Sequence, residues 1–275
     1  MSYRLLSTHS GKEHDRKQWD RRTLEGELRS YDGRSITRLF DRYLQGKRLR
    51  IIEGGCGFGG WCVWFEDRGH SVVGVEYDEE VVAHARAFRA DIPVFLRDVT
   101  NLTDDDNSFD AYVSLGVIEH FEGGAQAVLR EARRVIKPSG VAFITTPLLT
   151  PVRRLISHPV RSAYFAVRRL AGRRDYFWEY RFTERELVSQ VAAAGFDVVE
   201  VASDDYDPQV RDRHIGLWAD WFFLRSRSGG IYQLNRLGRM VLLALRPFPR
   251  SWYASGIVVV ARVREQAGRE AEPRG

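Results

Sequence analysis

Along the chain, short apolar runs alternate with stretches whose apolar residues recur every three or four positions. Ile36, Leu39, Phe40 and Tyr43 fall at i, i+3, i+4 and i+7, which predicts an amphipathic helix over 35–44. The run Ile51-Ile52 ends in Glu53 and a glycine-dense turn, with a helix predicted over 61–67 and a strand over 71–75 closed by Glu76. Val81, Val82, Ala85 and Phe88 supply the inward face of a helix over 79–89, and strands are predicted at 93–96 and 109–114. Val128, Leu129, Ala132, Val135 and Ile136 repeat the helical spacing until Pro138 and Gly140 break it ahead of a strand at 141–145. Thr183 with Glu186 forms a capping box that opens a helix reaching 194, where Gly195 stops it. Strands at 196–202 and 256–263 complete the series. Strands alternating with helices predict an α/β fold built on a doubly wound sheet.

The stretch 50–78 carries the first chemistry. Gly55, Gly57 and Gly59 stand at every second position between a strand and a helix, and a second strand follows. Strand, glycine turn, helix and strand within about thirty residues make a nucleotide-binding βαβ unit. Glycine lets the backbone approach a ligand, and the helix start offers unpaired N–H groups. The Glu76 carboxylate, just after the second strand, suits a ribose diol because its oxygens accept both hydroxyl protons. Gly55, Gly57 and Gly60 also satisfy the dinucleotide fingerprint, so a nicotinamide-dependent oxidoreductase is one alternative. A non-catalytic protein that keeps the cofactor fold is another. Glu53 argues for a different ligand: an acid before the glycines repels a pyrophosphate but welcomes a sulfonium beside an amino group.

At this point the chain resembles the class I S-adenosylmethionine-dependent methyltransferases, whose first motif, E/D-x-G-x-G-x-G, is met by Glu53, Gly55, Gly57 and Gly59 without a gap. The resemblance covers 50–202 and implies a Rossmann-like, seven-stranded, mostly parallel sheet carrying helical cap insertions. It implies S-adenosyl-L-methionine as cofactor, with Glu53, Gly55, Cys56, Gly57, Gly59, Glu76, Tyr77, Asp98, Val99 and Leu115 around it. Asp98 follows the third strand, where the family places an acid against the adenine amino group. The segment Leu115-Gly116-Val117-Ile118-Glu119-His120-Phe121 is similar to the signature of small-molecule methyltransferases related to quinone-biosynthesis enzymes, as is the run 131–141. His120 is the candidate general base, because a hydroxyl acceptor must lose a proton and histidine titrates near neutral pH. Glu119 is assigned to the substrate side, and one Glu-His pair is too little to assert a metal. The Asn/Asp-Pro-Pro-aromatic run and Pro-Cys nucleophile of base methyltransferases are absent, so no nucleic-acid substrate is expected.

Charge adds a second theme. Between Glu131 and Asp175 the chain has ten bases and no acid, and between Asp220 and Glu265 it has eight and none. Set against a formal net charge of +5, those eighteen leave the remainder at −13, an asymmetry that points to a partner. The two zones coincide with cap insertions at about 148–182 and 203–255 in a methyltransferase domain spanning 35–275, preceded by an N-terminal arm, 1–34. Both insertions are rich in aromatics, so the expected acceptor is a small, glycan or lipid-linked molecule with anionic character. Peripheral contact with an anionic membrane face is a further expectation for the same segments. Trp19 and Tyr31 of the arm, with Tyr180, are candidates for the substrate mouth. Two cysteines support neither a disulfide framework nor a zinc site, and no apolar leader is read in 1–10, so a cytoplasmic setting is expected. The oligomeric state and the accepting atom are not legible.

Overall fold

The apolar runs pair into one central sheet in a computed structural model that describes residues 2–8, 23–45, 48–227 and 230–264. In chain order the elements are β1 (Tyr3–Ser7), α1 (Leu24–Ser30), α2 (Ser35–Tyr43), β2 (Arg50–Gly54), α3 (Gly60–Glu66), β3 (Ser71–Glu76), α4 (Glu79–Phe88), β4 (Val94–Leu96) and β5 (Phe109–Leu115). There follow α5 (Gln126–Val135), β6 (Ile136–Pro147), α6 (His158–Leu170), β7 (Tyr176–Arg181), α7 (Glu184–Ala193), β8 (Phe196–Asp204), α8 (Ile215–Asp220), α9 (Arg236–Leu245) and β9 (Gly256–Val263). The sheet runs β4-β3-β2-β5-β6-β9-β8, parallel throughout except for β9. Strand order reverses between β2 and β5, and in such sheets the crevice at the carboxyl ends of those strands is where ligands bind.

Alternate strand residues feed two cores. Ile51, Val113, Phe143 and Val260 pack against α2, α3 and α4, whereas Ile52, Tyr112, Ile144 and Val259 pack against α5 and α7. Helix starts are fixed by local chemistry. Asp78 caps α4 by accepting from Glu80 N at 2.9 Å, and Thr183 with Glu186 closes the reciprocal box expected for α7. The break at Pro138 and Gly140 takes a different form from the one expected. β6 begins at Ile136, directly after α5, and Lys137–Gly140 loops out between the pairs Phe109–Ile136 and Ala111–Val141.

The arm and the insertions join. β1 pairs antiparallel with β7, from Tyr3 opposite Arg181 to Ser7 opposite Tyr176, so the start of the chain is stitched to the first insertion. The second insertion contributes α8, α9 and a small core of Leu217, Leu224, Leu234 and Leu242. A buried ion cluster ties the two insertions together. Arg153 donates through Nε to Asp220 at 2.6 Å and through Nη1 to the carbonyls of Leu148 and Ser255, each at 2.6 Å. Arg181 reaches the other Asp220 oxygen at 3.3 Å and Glu179 at 3.1 Å. Asp220→Ala is expected to lower unfolding stability by about 3–5 kcal/mol, because it strands the Arg153 charge in the interior. A urea unfolding midpoint within experimental scatter of the parent would show that the cluster is not what holds the insertions.

Candidate functional site

The carboxyl edge of the sheet gathers most of the residues singled out from the sequence. Glu53 precedes the end of β2, Glu76 closes β3, Asp98 follows β4 and Leu115 ends β5. From β2 the chain turns back over β3, with Gly55 N and Cys56 N donating to the Val75 carbonyl at 2.7 and 3.0 Å. Gly55 has φ of +71°, and any Cβ there would run into Val117. Only glycine satisfies both demands, so the turn and the 115–121 segment pack directly on one another. Gly57 and Gly59 continue the turn into α3.

Glu76 is buried, and its carboxylate holds the turn together. It accepts from Gly57 N at 3.0 Å, Tyr77 N at 2.9 Å and Asp78 N at 3.1 Å. A carboxylate offers about four lone-pair sites, so three amides take up much of its accepting capacity. Burial raises its pKa while those amides oppose the shift. Tyr77 itself is largely exposed. Asp98 is exposed too, and one of its oxygens accepts from Thr100 N and Oγ1 at 2.8 and 2.7 Å, so its turn is preset beside buried Val99.

Glu53 is fully enclosed. Among the described residues its carboxyl group receives one hydrogen bond, from the Cys62 thiol at 3.2 Å, a weak donor. Burial holds its pKa well above the usual carboxylate range, with Cys62, Glu27 and Glu76 adding to the shift. Cys56 turns its own thiol inward, where burial raises its pKa too. The companion acid, Glu27, was not foreseen, because it lies in a polar stretch without a motif. Helix α1 packs on α3 and brings Glu27 Oε2 within 3.1 Å of where a Gly60 Cβ would sit, with the Tyr31 hydroxyl closer still. Tyr31 stacks on Trp61 at 3.7 Å between ring centroids. It is buried against the glycine helix. Trp19 lies outside the described residues.

This surround fits S-adenosylmethionine. Glu27 and Glu53 are close enough to act on one another electrostatically beside the glycine helix, a pair of acids that suits a ligand bearing ammonium and sulfonium charges, and Glu53 is short of strong donors. Behind the crevice, Ser114 Oγ, Thr146 Oγ1 and Glu119 Oε2 are buried polar atoms without a partner among the described residues. Glu119 has its pKa raised well above normal by burial, then by Glu179 and Asp204. His120 is exposed, and its Nδ1 lies 2.9 Å from the Trp178 carbonyl. A carbonyl only accepts, so Nδ1 carries a proton and donates it to Trp178, which leaves Nε2 as the nitrogen facing away from that bond. Tyr180, on the same strand, donates to the Glu122 carbonyl at 3.1 Å and packs near Phe182. A separate cavity of about 480 Å³ opens at the opposite, amino-terminal edge of the sheet, among Phe40, Arg48, Trp64 and Arg68, and shares no residue with the glycine turn.

Comparison with known proteins agrees with this geometry. A family model described as a methyltransferase domain matches residues 52–144. A probable S-adenosylmethionine-dependent methyltransferase of Mycobacterium tuberculosis is 30% identical over 182 residues, covering 65% of this chain and 61% of that protein. A ubiquinone biosynthesis O-methyltransferase of Azorhizobium caulinodans is 31% identical over 182 residues, covering 65% of this chain and 68% of that one. A solved SAM-dependent methyltransferase of Methanosarcina mazei superposes with a TM-score of 0.57 at 17% identity, over 83% of this chain and 98% of the other, a likeness of fold. Fold and site define a Rossmann-like methyltransferase. The chain belongs to the S-adenosylmethionine-dependent methyltransferase family, whose cofactor is S-adenosyl-L-methionine. It spans about three-fifths of the length of the mycobacterial relative.

Two outcomes test the site. Glu76→Ala is expected to weaken S-adenosylhomocysteine binding by about 1.5–3 kcal/mol, or about 10- to 150-fold, in titration calorimetry. Glu76→Gln, which keeps an acceptor for the turn, should lose less; equal affinity in all three proteins would place the ribose elsewhere. Glu119 has a raised folded-state pKa, so the native state holds its proton longer than the unfolded chain does. Its stabilising contribution is full below an unfolded value of about 4.3 and disappears as pH rises through the raised folded value. Relative to Glu119→Gln, the parent should therefore lose stability as pH climbs from about 4.3, read as urea midpoints. Parallel pH profiles would refute the assignment.

Proposed function

We propose that this protein transfers a methyl group from S-adenosylmethionine to a hydroxyl of a small-molecule, glycan or lipid-linked acceptor with anionic character. The observation that carries the reading is the glycine turn flanked by buried Glu53 and Glu76 at the β2/β5 crevice. The cofactor, when bound, supplies an electrophilic methyl on a sulfonium, so the task left to the chain is alignment and removal of one proton. Glu76 and Asp98 hold the nucleoside end, and Glu53 with Glu27 faces the cationic end. His120, with Nδ1–H donated to Trp178, takes the acceptor proton on Nε2. The hydroxyl as accepting atom is supported by the similarity to the Azorhizobium O-methyltransferase.

The anionic character rests on the cap. Arg153, Arg161 and Arg181 stand against the two acids Glu179 and Asp220, and Arg161 Nε is buried without a partner among the described residues. His158, beside Arg181, adds no charge, because burial and the neighbouring arginines push its pKa down to about 3. One positive charge is in excess, and a carboxylate or phosphate on the acceptor offsets it. Labelled S-adenosylmethionine incubated with fractionated metabolite and lipid extracts should give a labelled product that is base-stable and acidic. With that acceptor, His120→Ala is expected to lower kcat by about 10²- to 10⁴-fold while leaving S-adenosylhomocysteine affinity unchanged. A kcat within threefold of the parent, roughly 0.6 kcal/mol, would remove His120 from the proton transfer.

A further inference from the structure

Helix α6 is built the wrong way out for a solvated surface helix. Its inward positions hold His158, Phe165 and the half-buried Arg161 and Arg168. Its outward positions are Val160, Ala163, Tyr164, Val167 and Leu170, with Val160 69%, Val167 66% and Leu170 90% exposed. At 100° per residue these form one apolar face three turns long, with no charge inside it. The preceding turn extends it through Leu155 and Ile156, both exposed. Helix α9 repeats the arrangement, burying Gly238 and Leu242 while Met240 is 67% and Leu243 64% exposed. The turn before α6 and the end of α9 are neighbours, since Val152 and Ser157 line the same small cavity as Leu245.

The exposed charges flanking these faces are arginines, while the neighbouring acid Asp175 is buried against Arg168 and Arg169. Arg154, Arg173 and Arg174 bracket α6, and Arg236 and Arg239 open α9; all are exposed, and none has a carboxylate in ion-pair range among the described residues. A two-fold contact between copies through this face would set arginine against arginine, with no acid on the face to relieve it. An anionic lipid surface satisfies both features at once, taking the aliphatic side chains into the interface and the guanidinium groups among the head groups. No helix among the described residues is long and apolar enough to cross a bilayer.

We infer that α6 and α9 form a docking surface for a bilayer that bears anionic lipids. Neither the apolar faces nor the flanking arginines belong to the glycine turn, so the inference stands apart from the methyl-transfer reading. The full-length protein should co-sediment with phosphatidylcholine vesicles containing phosphatidylglycerol, poorly with phosphatidylcholine alone, and less in high salt. The double variant Val160→Glu/Val167→Glu should lose vesicle partitioning by about tenfold or more with its thermal midpoint and S-adenosylhomocysteine affinity unchanged. Met240→Glu/Leu243→Glu, on the other helix, should weaken partitioning in the same way. Vesicle binding that is absent, or unaltered in both variants, overturns the inference. So does a concentration-dependent dimer in sedimentation velocity that Val160→Glu/Val167→Glu abolishes in a protein that does not bind vesicles.

Discussion

Within the crevice, Glu76 is held by three main-chain amides that come from two different places, Gly57 in the turn and Tyr77 and Asp78 beyond β3. The turn itself hangs on the Val75 carbonyl of the same strand. Its position relative to β3 is thus set by backbone bonds on one side and a single carboxylate on the other. Everything else at this edge is placed from that joint. Val117 packs on Gly55 and brings the 115–121 segment with it, and α3 runs on from the turn to receive α1. Glu53 then lies enclosed beside α3, short of donors, with the Glu27 carboxylate near enough to push its pKa further up.

The cap is coupled to the 115–121 segment through charge. Glu119 feels Glu179, Glu179 binds Arg181, Arg181 shares Asp220 with Arg153, and Arg153 closes on the carbonyls of Leu148 and Ser255, where the two insertions leave and rejoin the sheet. His120 belongs to the same system, since its ring is set by Trp178 on β7. A buried chain of this kind is costly to break at one link, because each removal leaves a partner uncompensated. It orders the cap through interactions that the glycine turn does not share.

The sheet was legible because its strands are near-continuous apolar runs, and the helices because their apolar positions keep one period. Glu53, Gly55 and Gly57 were legible for another reason: they lie within five positions, with Glu76 closing the same βαβ unit, and a short motif records what local backbone geometry demands. What escaped is non-local. Glu27 and Tyr31 reach the turn only because α1 packs on α3, and no spacing within 23–31 encodes that contact. The pairing of β1 with β7 joins residues more than 160 positions apart, and the tautomer of His120 depends on a carbonyl 58 positions away. The glycine-proline break after α5 misled because a loop within a strand and a helix stop share the same residues. The outward apolar face of α6 was hidden because periodicity locates an apolar stripe but not which side of it is covered.

β9 enters the sheet antiparallel, so β8 leaves and β9 returns at the same edge, with Asp204 directly opposite Gly256. The whole second insertion therefore begins and ends at two neighbouring ladder positions. A loop with pinned ends is lengthened cheaply, since closure entropy grows only with the logarithm of its length. The consequence is a division of labour in how such a chain diversifies. Strand registry and cofactor geometry are inherited as one unit, while the segment above them is free to be exchanged, lengthened or recharged without disturbing a single strand pair.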